Sequence, residues 1–335
     1  MLSIIVAVHN QLGHNQFFLE GIRKYTTGPY EVIVIDNHST DGSAEFFESN
    51  GCRVIRNHVN LCFPESMNLG MRQAEGDYFC HINNDLYVAP NWNVALIDAM
   101  EQQGLYAVSP LGLEVMPTPA LTAWMHDRWN SVGRGRLSSG RSMGELRTML
   151  RKMYGDWEAV SGEICNRYRG QLIEGINGSC VMMRRSLINK IGYLDEHIQA
   201  ADWDFYLTLR KREQEVGDVR RCMVVGGSFV HHFMRATLKG KPRPFGCAHP
   251  RYLVDEKWSR DEQVKLWFKP EDIQPVSEPG LSPRSQLRLT KVLKKLSVEI
   301  SRLLSWRWLL VNPSSIVDTY KHKFETLAAR SAGHE

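Results

Sequence analysis

Two short, continuous runs of β-branched residues near the N-terminus constrain the fold of this chain most strongly. The first run, SIIVAV, covers residues 3–8, and the second, VIVI, covers residues 32–35. Continuous runs of this kind, without the alternation of a half-solvated sheet, are typical of parallel strands that are covered on both faces. The connection between them is long enough for a helix, and polar residues follow each run. The pattern therefore predicts a βαβ unit at the start of an α/β fold.

Polar side chains also follow a later predicted strand at the point where it should end. A third strand is expected at 52–56, and a fourth at 78–83 runs into the amides and carboxylate of Asn83, Asn84 and Asp85. On its own, an Asn-Asn-Asp run is more often an ordinary turn. Because ligands of α/β proteins collect at the carboxyl ends of strands, Asp36 and Asp85 should share one edge of the sheet. Such oxygens suit Mg²⁺ or Mn²⁺, so we expect a nucleotide site there.

Length, charge and cysteine content exclude several classes of protein. With 335 residues and 43% hydrophobic residues, the chain can form one large domain or two smaller ones. A net charge of +4 is too small to indicate nucleic-acid binding. The seven cysteines contain no Cys-x-x-Cys pair, which argues against a zinc knuckle or a disulfide scaffold. Without a signal-peptide pattern or a run of ~20 apolar residues, a cytoplasmic protein is expected.

Seven segments follow one another in a recognisable order: SIIVAVHN (3–10), VIVIDNHSTDGS (32–43), RNHVNL (56–61), NLGMRQAEGDYFCHINND (68–85), INGSCVMMRRSLINKIGYLDE (176–196), ADWDFYLTLR (201–210) and VHH (230–232). Their order resembles that of the inverting family 2 glycosyltransferases of GT-A fold, rhamnosyl- and hexosyltransferase-like members included. The resemblance covers residues 1–237. It implies a Rossmann-like, mixed and mainly parallel sheet flanked by helices, with a nucleotide-sugar half at 1–110 and an acceptor half at 111–250.

The resemblance implies a donor site at the strand ends. Its expected nucleotide contacts are Val8, Asn10, Asp36, Asn68, Asn84 and Asp85. Asp85 and one histidine would hold Mn²⁺ or Mg²⁺. Because neighbouring strand residues point to opposite faces, only one of His231 and His232 easily enters the site, and we expect His231, with His232 as the alternate. Asn83 stands where many relatives carry the first Asp of an Asp-x-Asp motif.

The same resemblance places a catalytic base at Asp202. Inverting sugar transfer needs a group that takes the proton of the acceptor hydroxyl. Gly178, Trp203 and Asp204 are expected to border or position the acceptor. The residue before the base is commonly Glu in the family and is Ala201 here, so acceptor recognition is expected to differ. An Asp at a helix start also has a simpler role, since carboxylates cap the first helical turn.

Residues 251–335 are expected to form a Pro-rich linker followed by an amphipathic C-terminal helix. Prolines are frequent between 270 and 283, which indicates a linker. Beyond Ser285, Leu, Val and Ile share one helical face, and Lys and Arg lie on the other. Docking on the same chain or on a partner in a homodimer is the simpler interpretation. The alternative is peripheral attachment to the anionic inner face of a membrane.

Taken together, the patterns predict a metal-dependent inverting glycosyltransferase. Its donor would be a nucleoside-diphosphate sugar, UDP- or dTDP-linked, and its acceptor a saccharide or lipid-linked saccharide in surface glycan synthesis. A catalytically inactive GT-A-like binding or scaffold protein is the alternative, which Asn83 and Ala201 favour. The joint presence of Asp36, Asp85 and Asp202 favours an enzyme. A sugar-nucleotide pyrophosphorylase is disfavoured, because VAVHNQLGHN at 6–15 lacks a glycine-rich phosphate loop.

Overall fold

The computed structural model describes residues 1–133, 141–234, 246 and 253–266. The amphipathic helix expected beyond Ser285 lies outside the described residues. At the N-terminus strands and helices alternate as expected: β1 (Leu2–Val8), α1 (Leu12–Tyr25), β2 (Tyr30–Asp36), α2 (Ser43–Ser49), β3 (Arg53–Arg56), α3 (Phe63–Gln73) and β4 (Tyr78–Ile82).

The second part of the described chain adds shorter strands and more helices. In chain order these are β5 (Leu86–Val88), α4 (Trp92–Gln103), β6 (Ala107–Leu111), α5 (Pro119–Gly133), α6 (Met143–Tyr154), α7 (Trp157–Arg167), β7 (Leu172–Glu174), β8 (Cys180–Arg184), α8 (Ile188–Ile191), α9 (Ala201–Glu215), β9 (Met223–His232), α10 (Val254–Lys257) and α11 (Arg260–Leu266). A 3-10 turn, Arg185–Leu187, joins β8 to α8. Of the helices in these described ranges, none combines the length and hydropathy needed to cross a membrane.

All the strands belong to one mixed sheet. Their order is β3-β2-β1-β4-β8-β6-β9-β5, and β7 also pairs with β9. The strands β1, β2, β3, β4, β6 and β9 run in one direction, whereas β8, β5 and β7 run in the other. The expected α/β fold, a mixed and mainly parallel sheet flanked by helices, is confirmed.

Helices cover both faces of the N-terminal strands, which explains their continuous apolar runs. On one face Val6 of β1 packs in the same core as Phe18 of α1. On the other face Ile5 shares a second core with Met67 of α3. A Cβ atom at Gly70 would lie 2.3 Å from Cγ2 of Ile5, so this glycine allows α3 to approach β1 closely. The predicted βαβ unit is therefore buried on both sides, as parallel strands require.

Candidate active site

The carboxyl ends of the parallel strands meet at one edge of the sheet. The chain leaves β1 for β2 on one side and later returns through β4 on the other side, so the strand order reverses between β1 and β4. Ligands of α/β proteins bind at such a reversal. Four titratable side chains lie at or just beyond these strand ends: Asp36 at the end of β2, Asp85 after β4, Glu114 after β6 and His232 at the end of β9.

Asp36 is a buried carboxylate with one oxygen that no other described residue bonds. Its side chain is 3% exposed, and it pairs in register with Val8 of β1. The backbone N–H of Asn37 donates to the carbonyl oxygen of Val8 at 2.8 Å, which closes the two strand ends together. Oδ2 of Asp36 accepts from the backbone N–H of Ser39 at 3.3 Å, whereas Oδ1 has no hydrogen-bond partner within the described ranges. Because a buried unpaired acceptor is costly, Oδ1 is suited to a donor on a ligand.

Asn10 shapes the loop beside Asp36. Its backbone adopts a left-handed conformation with φ 58°. Its Oδ1 accepts from the backbone N–H of Thr40 at 2.8 Å, and its own N–H donates to Oγ of Ser39 at 2.8 Å. The residue therefore ties the loop after β1 to the loop after β2, next to the carboxylate of Asp36.

Asn84 and Asn15 form a buried amide pair behind the site. Nδ2 of Asn84 donates to Oδ1 of Asn15 at 2.7 Å, and Nδ2 of Asn15 donates to Oγ of Ser43 at 2.8 Å. This network connects the turn after β4 with α1 and α2. Asn84 thus fixes the position of Asp85, its neighbour in the chain.

Asn68 lies in the protein interior and corrects one expectation. Its Nδ2 donates to the carbonyl oxygen of Leu194 at 2.8 Å and to Oε1 of Glu196 at 2.9 Å. Its Oδ1 accepts from the backbone N–H of Leu194 at 3.0 Å. With both N–H groups in use and 1% of its surface exposed, the side chain has no donor left for a nucleotide. The structure assigns Asn68 to holding the 194–196 loop on α3 rather than to ligand contact.

His232 connects two carboxylates at the edge. Nε2 of His232 lies 3.0 Å from Oδ1 of Asp85, and Nδ1 forms a short hydrogen bond with Oε1 of Glu114. Burial disfavours a charged ring here, but Asp85 and Glu114 together outweigh it and raise the pKa of His232 well above its ordinary value. Burial also opposes the charge of Glu114, yet the histidine lowers the pKa of this carboxyl. The three side chains form a carboxylate–imidazolium–carboxylate chain.

His231 points away from Asp85, and our preference for it over His232 is corrected. Its ring is fully buried, with Nδ1 2.8 Å from the hydroxyl oxygen of Tyr154. The ring centroids of Trp129 and Phe233 lie 4.7 Å and 4.6 Å from it. Burial lowers the pKa of His231 to about 3, so the ring is neutral. As expected, only one of the two adjacent histidines faces the carboxylate, but it is the second, because Leu86 pairs with His232 in the β5–β9 register.

Glu114 is a site residue that the sequence reasoning missed. It follows β6 in a tight turn, in which the backbone N–H groups of Gly112 and Val115 each donate to the other residue's carbonyl oxygen, at 3.0 Å and 3.2 Å. A Cβ atom at Gly112 would lie 2.5 Å from Nδ2 of Asn177, so this glycine leaves room for the Asn177 amide. The sequence pattern could have indicated Glu114, because this residue follows a strand-like apolar run, as Asp36 and Asp85 do.

Asp202 stands in the first turn of α9 against Gly178. A Cβ atom on Gly178 would lie 2.0 Å from Oδ2 of Asp202, so this glycine leaves the space that the carboxylate occupies. Burial raises the pKa of Asp202, backbone N–H groups at the helix start partly oppose the shift, and the negative charge of Glu114 adds to it. A carboxylate with a raised pKa is a stronger base, and the structure brings it close enough to Glu114 for the two charges to interact.

Trp203 and Asp204 play different parts in the described structure. Trp203 is 41% exposed beside Asp202. Asp204 is buried and accepts hydrogen bonds from Nε1 of Trp258 at 2.7 Å and from Nζ of Lys257 at 3.0 Å. It therefore fastens the segment that contains α10 to α9, a positioning role within the protein. A cavity of about 80 Å³ next to Asp204 includes none of the carboxylates at the strand ends.

The oxygen and nitrogen atoms at this edge suit a divalent cation that arrives with a nucleotide. Across residues 1–133, 141–234 and 253–266 no cluster of three or more His, Cys, Asp or Glu side chains is arranged to hold a metal. Asp85 and His232 nevertheless supply one carboxylate and one imidazole 3.0 Å apart. Magnesium and manganese bound with nucleotides commonly use one or two protein ligands and complete their shell with phosphate oxygens and water. The pair fits a cation of that kind and not an all-protein metal site.

Comparison with known proteins identifies the family. Residues 3–192 match the family model described as glycosyl transferase family 2. The chain belongs to this family. Its membership, together with the mixed sheet, confirms the expected GT-A fold and the expected glycosyltransferase class.

Individual family 2 relatives are more distant. Over 103 residues the chain is 32% identical to an uncharacterized glycosyltransferase of Haemophilus influenzae. The matched stretch covers 30% of this chain and 35% of that protein. Over 166 residues it is 26% identical to the undecaprenyl-phosphate 4-deoxy-4-formamido-L-arabinose transferase of Serratia proteamaculans, with 45% of this chain and 48% of that protein covered. The chain thus spans between about a third and a half of these relatives.

Two solved structures illustrate the structural similarity. The mannosyltransferase of Pyrobaculum calidifontis in complex with GDP-Man and Mn²⁺ has a TM-score of 0.45 and 14% identity, over 69% of this chain and 56% of that chain. The TarS protein of S. aureus (residues 1-349) in complex with UDP-GlcNAc has a TM-score of 0.42 and 16% identity, over 69% and 58%.

Proposed function

We propose that this family 2 enzyme is a metal-dependent inverting glycosyltransferase that uses a nucleoside-diphosphate sugar as donor. The observation that carries the proposal is the set of groups at this edge of the sheet. Asp36 has one oxygen without a hydrogen-bond partner in the described residues, Asp85 pairs with His232, and the charge of Glu114 acts on Asp202. Donor binding would place the nucleoside at Asp36 and the diphosphate at Asp85. His232 replaces His231 as the expected second ligand of Mn²⁺ or Mg²⁺. Its ring would bind as the neutral imidazole, so Nε2 would release the proton that it shares with Asp85 when the cation enters.

The chemistry at Asp36 favours a uridine or thymidine donor. Oδ2 is already engaged by the N–H of Ser39, which leaves one oxygen for a ligand. Uracil and thymine each offer an imide N–H that could donate to this oxygen. UDP- or dTDP-linked sugars are therefore the proposed donors.

Asp202 is the proposed base of the reaction. It takes the proton of the acceptor hydroxyl while the acceptor oxygen forms its bond to the anomeric carbon and the bond from that carbon to the diphosphate oxygen breaks. The electron pair of the broken bond leaves with the nucleoside diphosphate. A bound divalent cation supplies the positive charge that stabilises this leaving group. The exposed indole of Trp203 offers an apolar surface for an acceptor sugar ring beside the base.

The proposed acceptor is a saccharide or lipid-linked saccharide, as expected from the sequence. The name of the Serratia relative, an undecaprenyl-phosphate transferase, supports a lipid-linked acceptor. Cytoplasmic location and peripheral attachment to a membrane are part of this proposal. So is the division into a nucleotide-sugar half at 1–110 and an acceptor half at 111–250.

A thermal-shift panel tests the donor part of the proposal. UDP, dTDP, GDP and CDP are added with and without Mn²⁺ to the wild type, to Asp85→Ala and to Asp98→Ala, a control with the same charge change on an exposed position of α4. At about 100 times the dissociation constant, ligand binding stabilises by ~2.7 kcal/mol, which corresponds to about 2–5 °C. We expect such a rise with UDP or dTDP plus Mn²⁺ in the wild type and in Asp98→Ala, and its loss in Asp85→Ala. No rise with any nucleotide would favour the inactive binding protein.

A further inference from the structure

Glu114 contacts the proposed site but has no role in the reaction proposed above. One of its oxygens, Oε1, bonds to Nδ1 of His232, and the opposite ring nitrogen, Nε2, faces Asp85 at 3.0 Å. Its other oxygen, Oε2, is buried without a hydrogen-bond partner in the described part of the chain. Glu114 thus contacts one of the proposed cation ligands, and its negative charge also raises the pKa of Asp202, the proposed base.

The turn that carries Glu114 is held from several sides. Gly112 and Val115 exchange backbone hydrogen bonds across it. Nδ2 of Asn177 donates to the carbonyl oxygen of Pro110 at 3.3 Å, and the backbone N–H of Asn177 donates to Oγ of Ser109 at 2.9 Å. The turn is therefore fastened to the loop that contains Gly178. A carboxylate on such a support keeps its orientation when a ligand enters the site.

A carboxylate that is hydrogen-bonded to one ring nitrogen of a histidine determines where the other ring nitrogen points. When Nδ1–H donates to Glu114, the ring is fixed in one orientation and Nε2 is directed at the partner on the far side. In this structure the far side is Asp85. Carboxylates that hold metal-binding histidines in this way typically strengthen metal binding by 10–100-fold.

We infer that Glu114 is a positioning residue that holds His232 with Nε2 toward the cation site at Asp85. The inference rests on the proposed function, because it requires that a cation bind to Asp85 and His232 and hold the diphosphate of the donor. Glu114 touches neither the cation nor the sugar; it acts through the imidazole. Glu114 would thus support the cation site from behind His232, and it lies outside the sequence motifs that indicated the family.

Binding of Mn²⁺ provides a test that does not depend on turnover. The full chain is titrated with Mn²⁺ in the presence of saturating UDP and, separately, of saturating dTDP, and free Mn²⁺ is followed by electron paramagnetic resonance. The same titration of each nucleotide without protein corrects for Mn²⁺ bound by the nucleotide itself. The proteins compared are the wild type, Glu114→Gln, Glu114→Ala, His232→Ala and the double variant Glu114→Ala/His232→Ala. The control is Glu215→Ala, which removes the same charge at the far end of α9, about 20 Å along the helix from Asp202. Thermal unfolding without nucleotide reports whether each variant folds.

The expected pattern separates positioning from a general loss of charge. Glu114→Ala weakens Mn²⁺ binding by about 10–100-fold, and Glu114→Gln by less, because the amide oxygen still accepts from Nδ1–H. Glu215→Ala leaves the affinity unchanged. In the His232→Ala background, removal of Glu114 has no further effect beyond about threefold, since the residue acts through the ring.

Two results would overturn the inference while the proposed function stands. One is an unchanged Mn²⁺ affinity in folded Glu114→Ala beside a clear loss in His232→Ala. The other is an equal loss from Glu114→Ala with and without His232, which would mean that the carboxylate acts independently. If the wild type itself binds no Mn²⁺ with UDP or dTDP, the cation site of the proposed function fails, and the role of Glu114 fails with it.

Discussion

The two sides of the sheet present their polar residues in different ways. On the side of β2 and β1 the strands are parallel. Asp36 is the last residue of β2, and Asn10 lies two residues beyond the end of β1. On the side of β6, β9 and β5 parallel and antiparallel pairs alternate, and Asp85, Glu114 and His232 come together from three distant segments. Local patterns therefore predict the residues of the proposed nucleoside side, whereas those of the proposed cation side come together only through long-range pairing.

The largest effect is expected at the base, on the mixed side of the sheet. Asp202→Asn removes the proton acceptor and should lower the rate of sugar transfer by about 10²–10⁴-fold. Donor affinity should stay at the wild-type value, because the substitution leaves Asp36 and Asp85 intact. The measurement is release of nucleoside diphosphate from the sugar donor, with titration calorimetry for donor binding. Transfer at a rate near that of the wild type would show that the base lies elsewhere.

The parallel side is tested at Asp36. Asp36→Ala removes the unpaired oxygen that the nucleoside is proposed to engage, and hydrogen bonds to charged groups contribute about 1.5–3 kcal/mol. The affinity for UDP or dTDP should therefore fall by about 10–150-fold in calorimetry. Mn²⁺-dependence of the remaining binding should persist, since Asp85 and His232 are untouched. Unchanged affinity in a folded variant would remove the nucleoside from this strand end.

Asn68 provides the contrast within the same half of the chain. Asn68→Ala leaves the N–H of Leu194 without its acceptor and deletes two donated hydrogen bonds. Unsatisfied buried groups cost about 1–3 kcal/mol, so the free energy of unfolding should fall by that amount in urea titrations. Nucleotide affinity of the folded variant should not change. A selective loss of affinity with full stability would return Asn68 to the ligand site.

His81 tests the strand at which the two sides join. It pairs with Ile5 of β1 and with Val181 of β8, and burial lowers its pKa to about 3. Between pH 6.5 and 3 the unfolded chain binds a proton that the folded chain does not, so stability falls as the pH falls through this window. At pH 5 the buried His81 therefore lowers the free energy of unfolding by about 2 kcal/mol relative to neutral pH.

The variant His81→Leu should therefore reduce the loss of stability between pH 7 and pH 5 by about that amount. Urea unfolding at the two pH values provides the measurement. His231, whose pKa burial also lowers to about 3, should retain its own share of the acid sensitivity. An unchanged difference between pH 7 and pH 5 in His81→Leu would mean that the His81 ring is charged in the folded state.

The smallest effect concerns how the two sides influence each other. Burial and then the charge of Glu114 raise the pKa of Asp202, so the acidic limb of the pH–rate profile should lie above the ordinary range of an aspartate. Glu114→Gln removes one negative charge, and this limb should move to lower pH. The profile of the transfer rate in the wild type and in the variant is the measurement. A limb that stays in place would separate Glu114 from the base.

Much of the fold follows from local patterns. The strands β1, β2 and β4 and the turn that carries Asp85 are visible as apolar runs that end in polar residues. The choice between His231 and His232 was not readable, because a shift of one residue in the β5–β9 register exchanges which ring faces Asp85. Asn68 was misassigned because its partners, Leu194 and Glu196, are remote in the chain.

A crystal structure with Mn²⁺ and UDP or dTDP, with anomalous scattering recorded at the manganese edge, tests the central claim most directly. The claim is that the ends of β2, β4 and β9 form one donor site. We expect one manganese peak between Asp85 and Nε2 of His232, on the diphosphate, with the base of the nucleotide against Oδ1 of Asp36. Manganese or nucleotide bound away from this edge would contradict the account.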